Sequence, residues 1–249
     1  MIARRLASAL VAHLYAAALR SYGSPAHVQS ASDPLSELDS GEIRIVPGFT
    51  GQFLKRFAPD ATARSAAQVY RAMVSALPEG VAAGDYTTSA EDKPALAVTK
   101  STADIWGGRD VTAATRNCDK LNVGQVVGAP RPAAIGTCEM TRVREFPDSA
   151  ALFAALRAGK INAAWTTTAA PGIPTELLML SDRTSLIRAE NLVPLYRRNE
   201  LTESQVLAIN EVAGVLDTAA LAQMRAQVDD GTEPGLVANA FLAEHPLGD

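Results

Sequence analysis

The chain has 249 residues, of which 47% are hydrophobic and 20% charged, a composition suited to a packed core and too apolar for a disordered chain. Its net charge of −4 gives no electrostatic footprint for nucleic acid or an anionic membrane surface, and no run reaches the roughly 20 apolar residues of a membrane-spanning helix. The length allows one large domain or two lobes of about 100 residues each.

Residues 1–22 open with Arg4 and Arg5 and then turn apolar, the outline of an export signal. Leu6, Leu10, Leu14 and Ala18 recur at helical spacing, however, and His13 interrupts the run, so the expectation is an amphipathic helix ending near Gly23. A short strand is expected around 27–30. A short helix follows over 33–39, capped by Asp33 with Pro34 in its first turn. Residues 42–46 (Glu-Ile-Arg-Ile-Val) read as a strand ending at Pro47-Gly48. Helices are expected at 51–57 and 65–77, the second with Val69, Met73 and Leu77 on one face. Residues 80–88 read as irregular. A strand at 95–98 leads into a helix at 101–106, for which Gly107-Gly108 is the stop.

The middle of the chain carries a strand at 123–127 and a Gly-Ala-Pro-Arg-Pro turn. Pro147-Asp148 starts a helix bearing Leu152, Phe153 and Leu156, stopped by Gly159. Strands follow at 161–165 and 177–180. Thr202 and Gln205 form a capping box ahead of Val206, Ile209 and Val212. Asp217 caps the next helix (Leu221, Met224, Val228), which stops at Asp230-Gly231, and Pro234 opens the last (Val237, Phe241). Strands alternating with helices predict an α/β class with mostly parallel pairing. The C-terminal third reads as helical with no strands of its own, which favours two half-sized sheets over one.

Signatures of catalysis are missing: the chain has no P-loop, GxSxG, HExxH or GxGxxG pattern. His13, His27 and His245 lie far apart and read as structural or exposed. Asp85, Asp92 and Asp182 sit near turns, where a carboxylate is usually solvated. No catalytic residue, metal site or cofactor is expected. Cys118 and Cys138, 20 positions apart, lack zinc or redox spacing. They form either one disulfide in an oxidising compartment or two separate buried thiols. Aromatic residues are only 5% of the chain, so their places carry information. Phe49 follows a strand within Pro-Gly-Phe-Thr-Gly, and Trp165 ends one ahead of Thr166, Thr167 and Thr168. Ligands of open α/β sheets lie outside the carboxyl ends of strands, which makes both rings candidate ligand contacts. The plainer alternative is that both are ordinary core aromatics.

Several segments together carry a family resemblance: Leu14 to Leu19 (Leu-Tyr-Ala-Ala-Ala-Leu), Leu38 to Ile43, Pro47 to Gly51, Ala95 to Val98, and Ala158 to Thr167 (Ala-Gly-Lys-Ile-Asn-Ala-Ala-Trp-Thr-Thr). In order and spacing the chain resembles, from about residue 14 to 247, the substrate-binding proteins of osmoprotectant importers that carry glycine betaine, choline, carnitine or proline (the OpuAC-type domain). Within that family it looks most like an LpqZ-like mycobacterial lipoprotein branch. The resemblance implies an α/β, two-lobed type II periplasmic binding protein fold with a hinge of two crossover segments. Lobe I would be 1–92 with 190–249, and lobe II 93–189. A solute would bind between the lobes and close them. It further implies the ligand-capturing component of an ABC importer, with an ABC transporter permease as partner. Such a protein is extracytoplasmic at the cell envelope, monomeric, without enzymatic activity and without cofactor. The family's leading strand and anchoring cysteine have no counterpart in residues 1–5, so the expectation is a late annotated start or a loss of export.

In the family a cage of tyrosines holds a quaternary ammonium by cation–π attraction, about 2 kcal/mol per desolvated contact. The positions that match are Phe49, Gln52, Pro94, Trp165 and Arg188 or Ala189, and only Phe49 and Trp165 keep rings. Lys93 or Arg188 would repel a cation. The resemblance with these departures implies a small polar, anionic or zwitterionic solute whose carboxylate faces Lys93 or Arg188. The expected ligand set is Phe49, Thr50, Gln52, Asp92, Lys93, Trp165, Thr166, Thr167 and Arg188. The alternatives are an enzyme such as a transferase on the same architecture, drawing an acid/base group from Asp92 or Lys93, and an envelope protein without a working site.

Overall fold

The computed structural model describes residues 2–140 and 143–248, with side chains from residue 9 onward. The readings made for Arg4, Arg5 and Leu6 fall on side chains outside that range, and residue 1 lies outside it altogether. In chain order the elements are α1 (Ile2–Ser21), α2 (Pro34–Ser40), β1 (Ile45–Phe49), α3 (Thr50–Phe57), α4 (Ala66–Ser75), β2 (Val81–Ala83), β3 (Pro94–Thr99), α5 (Lys100–Trp106) and α6 (Val111–Arg116). A 3-10 turn at Cys118–Lys120 follows, then β4 (Val123–Val126), β5 (Ala134–Ile135), β6 (Cys138–Glu139), β7 (Val143–Phe146), α7 (Ser149–Arg157), β8 (Ala163–Thr167) and β9 (Leu177–Met179). The chain ends with β10 (Leu192–Arg197), α8 (Glu203–Val215), α9 (Thr218–Asp229) and α10 (Pro234–Glu244). It divides into two compact units, Met1–Asp92 with Ala189–Asp249, and Lys93–Arg188.

The first unit is built on a three-stranded antiparallel sheet in the order β1-β10-β2. β10 is central although Pro194 sits in its middle, opposite Pro47 of β1. A proline breaks a central strand by removing a donor. Here the register makes it harmless. Thr50 N donates to Asn191 O at 2.9 Å, and antiparallel pairs alternate, so Pro47 and Pro194 fall at a position where neither nitrogen is asked to bond the other strand. The Pro194 nitrogen points to the opposite side, where β2 has already ended at Ala83. Val46, Val193 and Leu195 pack with Phe53, Leu54, Val69 and Met73 of α3 and α4. α1 lies against α8, α9, α10 and β1, burying Leu10, Leu14, Tyr15 and Ala18 completely. The expected caps are in place. Asp33 accepts from Ser36 N, Thr202 and Gln205 form the reciprocal capping box, and Asp217 accepts from Ala220 N at 2.7 Å.

The second unit carries a five-stranded sheet in the order β7-β4-β8-β3-β9. β4 runs parallel to β7 and β8, whereas β3 runs antiparallel to β8 and β9. Alternate residues point to opposite faces. Leu96, Val98, Ala163 and Trp165 pack with Trp106, Val111 and Ala113 on one face, and Ala97 and Ala164 pack with Leu152, Phe153 and Leu156 of α7 on the other. Gly124 admits α7, since a Cβ there would lie 2.6 Å from Ile161 and 2.7 Å from Leu152. A disulfide joins Cys118 of the 3-10 turn to Cys138 of the β5–β6 hairpin.

Several expectations are corrected. Pairing is not mostly parallel: the first unit's sheet is wholly antiparallel and the second is mixed. A helix between two strands is a parallel crossover only when those strands are neighbours, and β3 and β4 are separated by β8. The expected strand at 27–30 is irregular. β1 starts later than read and runs through Pro47-Gly48, while 80–88 contains β2. The helical end read from Thr202 onward holds α8, α9 and α10 alone, but β10, just ahead of it, was not expected because its internal proline disguised it. β5, β6, β7 and α6 are too short or too polar for periodicity to mark.

Candidate functional site

The turn after β1 is braced by hydrogen bonds from several stretches of the first unit. Thr50 is fully buried, and its Oγ1 accepts from Asn191 N at 3.1 Å. The Asn191 amide in turn donates to Thr87 O at 2.9 Å. Gln52 N donates to Glu190 Oε2 at 2.9 Å, so a carboxylate serves the open first turn of α3, where the helix dipole favours negative charge. Gly51 is required by this approach: a Cβ would lie 2.6 Å from Ala189 O and 2.7 Å from the Glu190 carboxyl. Asp92 N donates to Glu190 O at 2.8 Å, and Glu91 bridges Asn191. Three stretches distant in sequence, 49–52, 90–92 and 189–192, are therefore held together.

Arg225 of α9 completes the cluster. It is 9% exposed. Its Nη2 lies 2.8 Å from Asp92 Oδ2, and its guanidinium carbon lies 5.9 Å from the centre of the Phe49 ring, within range of a cation–π contact. Asp92 Oδ1 is buried and accepts no hydrogen bond from the described residues. Sequence reasoning missed Arg225, but a signal was present. Position 225 shares the inward face of its helix with Leu221 and Val228, at spacings of four and three, and a charged residue on a buried face requires a partner.

The second unit holds the remaining candidates. Trp165 stands opposite Leu96, with Thr166 opposite Ala95 and Thr167 opposite Pro94. The Trp165 ring is 3% exposed and packs in that unit's own core, and its buried Nε1 donates to none of the described residues. Lys93 Nζ lies 3.7 Å from Asp182 Oδ2, and the same carboxylate accepts from Leu186 N and Ile187 N at 2.9 Å each. Arg188 is half-buried at the end of the unit.

The expected set is thus divided. Phe49, Thr50, Gln52 and Asp92 come together in the first unit, with Arg225 added. Lys93, Trp165, Thr166 and Thr167 belong to the second, as does Arg188. Three of them have partners within the chain: the Thr50 hydroxyl serves the backbone of Asn191, the Lys93 charge is countered by Asp182, and the Trp165 ring packs in its unit's core, the plainer of the two readings given for it. Asp92, read as a solvated turn carboxylate, is one half of an ion pair with little exposure. Among the described residues no three His, Cys, Asp or Glu side chains are grouped to hold a metal. His13 packs against Gly235, and burial together with the Arg20 charge holds its pKa below the ordinary 6.5 despite Glu233. His245 stacks on Phe241.

A family model described as the substrate-binding domain of ABC-type glycine betaine transport systems matches residues 7–244. No curated protein matches the chain. Among solved structures, ligand-free YehZ from Escherichia coli aligns with a TM-score of 0.75 at 19% identity, over 97% of this chain and 95% of that one. A glycine betaine/carnitine/choline ABC transporter structure aligns with a TM-score of 0.77 at 17% identity, over 96% and 95%. An ABC-transporter choline-binding protein in complex with choline aligns at 0.55 and 17%, over 97% and 86%. The shared fold is that of type II periplasmic binding proteins.

Proposed function

The chain belongs to the family of substrate-binding domains of ABC-type glycine betaine transport systems, and from that premise we propose that it captures a small zwitterionic solute whose ammonium group carries N–H. The observation that supports this reading is the guanidinium of Arg225 beside the Phe49 ring, paired with Asp92. A cation of the chain already faces the one ring of the first unit expected to meet a ligand. At about 6 Å and an effective dielectric near 20, a second unit charge there would be repelled by about 3 kcal/mol. That offsets the roughly 2 kcal/mol a cation–π contact supplies, although Asp92 screens part of it. A carboxylate would instead be attracted by the same Arg225 charge. Asp92 Oδ1, which accepts no hydrogen bond from the described residues, would serve as the acceptor for an N–H donor, which an amino acid has and a fully methylated ammonium lacks.

We propose further that the two units serve as the two lobes. The hinge would be absorbed where the chain passes between them, at Asp92–Lys93 and Arg188–Ala189. The protein acts as a monomer outside the cytoplasm, delivers its solute to an ABC transporter permease and turns nothing over. Calorimetric titration with L-proline, glycine, glycine betaine and choline tests the ligand class. Proline or glycine should bind, glycine betaine about tenfold more weakly, and choline not at all. At a concentration one hundred times its dissociation constant, the bound solute should stabilise the protein by about 2.7 kcal/mol. Choline binding as tightly as the best amino acid would refute the proposed ligand class, and no binding by any member of the panel would refute solute capture.

A further inference from the structure

The first unit has a groove that shares no residue with the Phe49, Arg225 and Asp92 cluster. It is an open groove of about 800 Å³ along α8 and the 85–88 segment, lined also by residues 246–248. Tyr70 and Tyr86 line it with rings 4.6 Å apart. Two carboxylates, Asp85 and Glu211, also line it, and among the described residues no lysine, arginine or histidine does. Its walls are fixed in place. Tyr70 Oη donates to Gly84 O at 2.9 Å, and Asp85 N donates to Asn210 Oδ1 at 2.9 Å, which ties the loop to α8. Glu211 is oriented by Tyr22, whose hydroxyl donates to Oε2 at 2.6 Å. The Asp85 charge also adds to burial in raising the Tyr70 pKa, which agrees with an acidic groove wall.

Gly214 keeps one wall of the groove low. It is the next-to-last residue of α8 and has no left-handed φ. Neither a turn nor packing requires it, since a Cβ would meet nothing within 4 Å. The effect of the glycine is to leave the groove wall open. Leu207, half-exposed, supplies an apolar stretch beside it.

We propose that this groove is a binding site for an organic ammonium cation. The charged head is drawn to Asp85 and Glu211 against the tyrosine pair, and the apolar part lies along Leu207 and over Gly214. Aromatic rings and carboxylates lining one groove, with no basic residue among the described lining residues, attract an organic cation and repel an anion. This site is independent of the solute proposed above.

The test uses the full chain and benzyltrimethylammonium, with benzyl alcohol as the uncharged control, followed by calorimetry and by backbone amide spectra. The cation should bind in the millimolar range or tighter, shift the amides of 85–88 and 207–215, and weaken with salt. The alcohol should bind at least tenfold more weakly. Gly214→Leu fills the groove while improving helix propensity, so it should abolish binding without lowering the thermal midpoint. Asp85→Asn should weaken binding severalfold. Saturating L-proline should leave the titration unchanged. Absence of binding, equal binding of the alcohol, or unaltered binding to Gly214→Leu would each overturn the proposal. Competition by proline would do the same, because it would place the cation elsewhere.

Discussion

Replacing Arg225 by methionine removes the ion pair beside Phe49. At 2.8 Å and an effective dielectric near 20, the gross attraction is about 6 kcal/mol, much of it offset by the cost of taking both ions out of water. Deleting one member does not recover that cost for the survivor. Removal of one partner of a buried pair typically destabilises by about 3–5 kcal/mol. The Asp92 side chain keeps 15% exposure and can gain some water, which argues for the low end, about 3 kcal/mol. Loss of the ring contact at 5.9 Å adds at most about 1 kcal/mol. For a protein of this size, 3 kcal/mol corresponds to a fall in melting temperature of about 6–12 °C. The companion variant, Asp92→Leu with Arg225→Met, removes both charges and should recover most of the loss. Urea titration followed by far-ultraviolet circular dichroism measures this in both units. Tryptophan fluorescence follows the second unit alone, because both tryptophans, Trp106 and Trp165, lie there. The single variant should therefore move the dichroism midpoint more than the fluorescence midpoint. A loss below about 1 kcal/mol for Arg225→Met, the range of exposed pairs, would refute the argument. So would a double variant no more stable than the single one.

Other consequences can be measured as directly. Gly51→Ala drives a Cβ to 2.6 Å from Ala189 O, a backbone atom that cannot swing away, and should destabilise by about 1–3 kcal/mol; a wild-type melting temperature would mean that the start of α3 shifts freely. Replacing Cys118 and Cys138 by alanine opens a loop of 20 residues and should cost the second unit about 3 kcal/mol, visible as an earlier fluorescence transition, whereas an unchanged midpoint would show that the bridge constrains little. His13 is held below its ordinary pKa of 6.5, so on acidification the unfolded chain takes up this proton first. The stability linked to His13 is complete above pH 6.5 and declines as the pH falls below it. His13→Gln should flatten thermal midpoints between neutral and mildly acidic pH, and an unchanged slope would remove this residue as the cause.

Helices were legible in the sequence because their ends are written in single residues. Asp33, Asp148, Thr202, Asp217 and Pro234 each mark a start that the structure places within a residue or two. Strands were legible only where an apolar run was uninterrupted, as in β3 and β8. β10 was hidden by Pro194, and a proline is excluded from a central strand only if its nitrogen is required to donate, which depends on a register that one strand cannot reveal. Direction was illegible for the same reason: four apolar residues pack equally well in either sense. At the candidate site the Phe49 turn could be read because proline, glycine and aromatic residues follow a strand there. What its ring faces could not be read, since Arg225 is distant in sequence and belongs to an otherwise ordinary helix.

β10 explains how that distant partner arrives. The strand returns from the second unit and inserts between β1 and β2, so Glu190 and Asn191, just ahead of it, meet both the start of α3 and residues 90–92. The helices that follow β10 then fold against α1, and α9 among them brings Arg225 to Asp92 and the Phe49 ring. A local motif that resembles one half of an ammonium cage thus acquires a cation from the far end of the same chain. A ring that keeps its aromatic character can lose its preference for cations through a residue outside the motif. In this chain the charge beside the ring is positive and paired with a carboxylate, one oxygen of which accepts no hydrogen bond from the described residues. An aromatic count alone would favour a cation, and the proposed zwitterionic solute rests on this added charge.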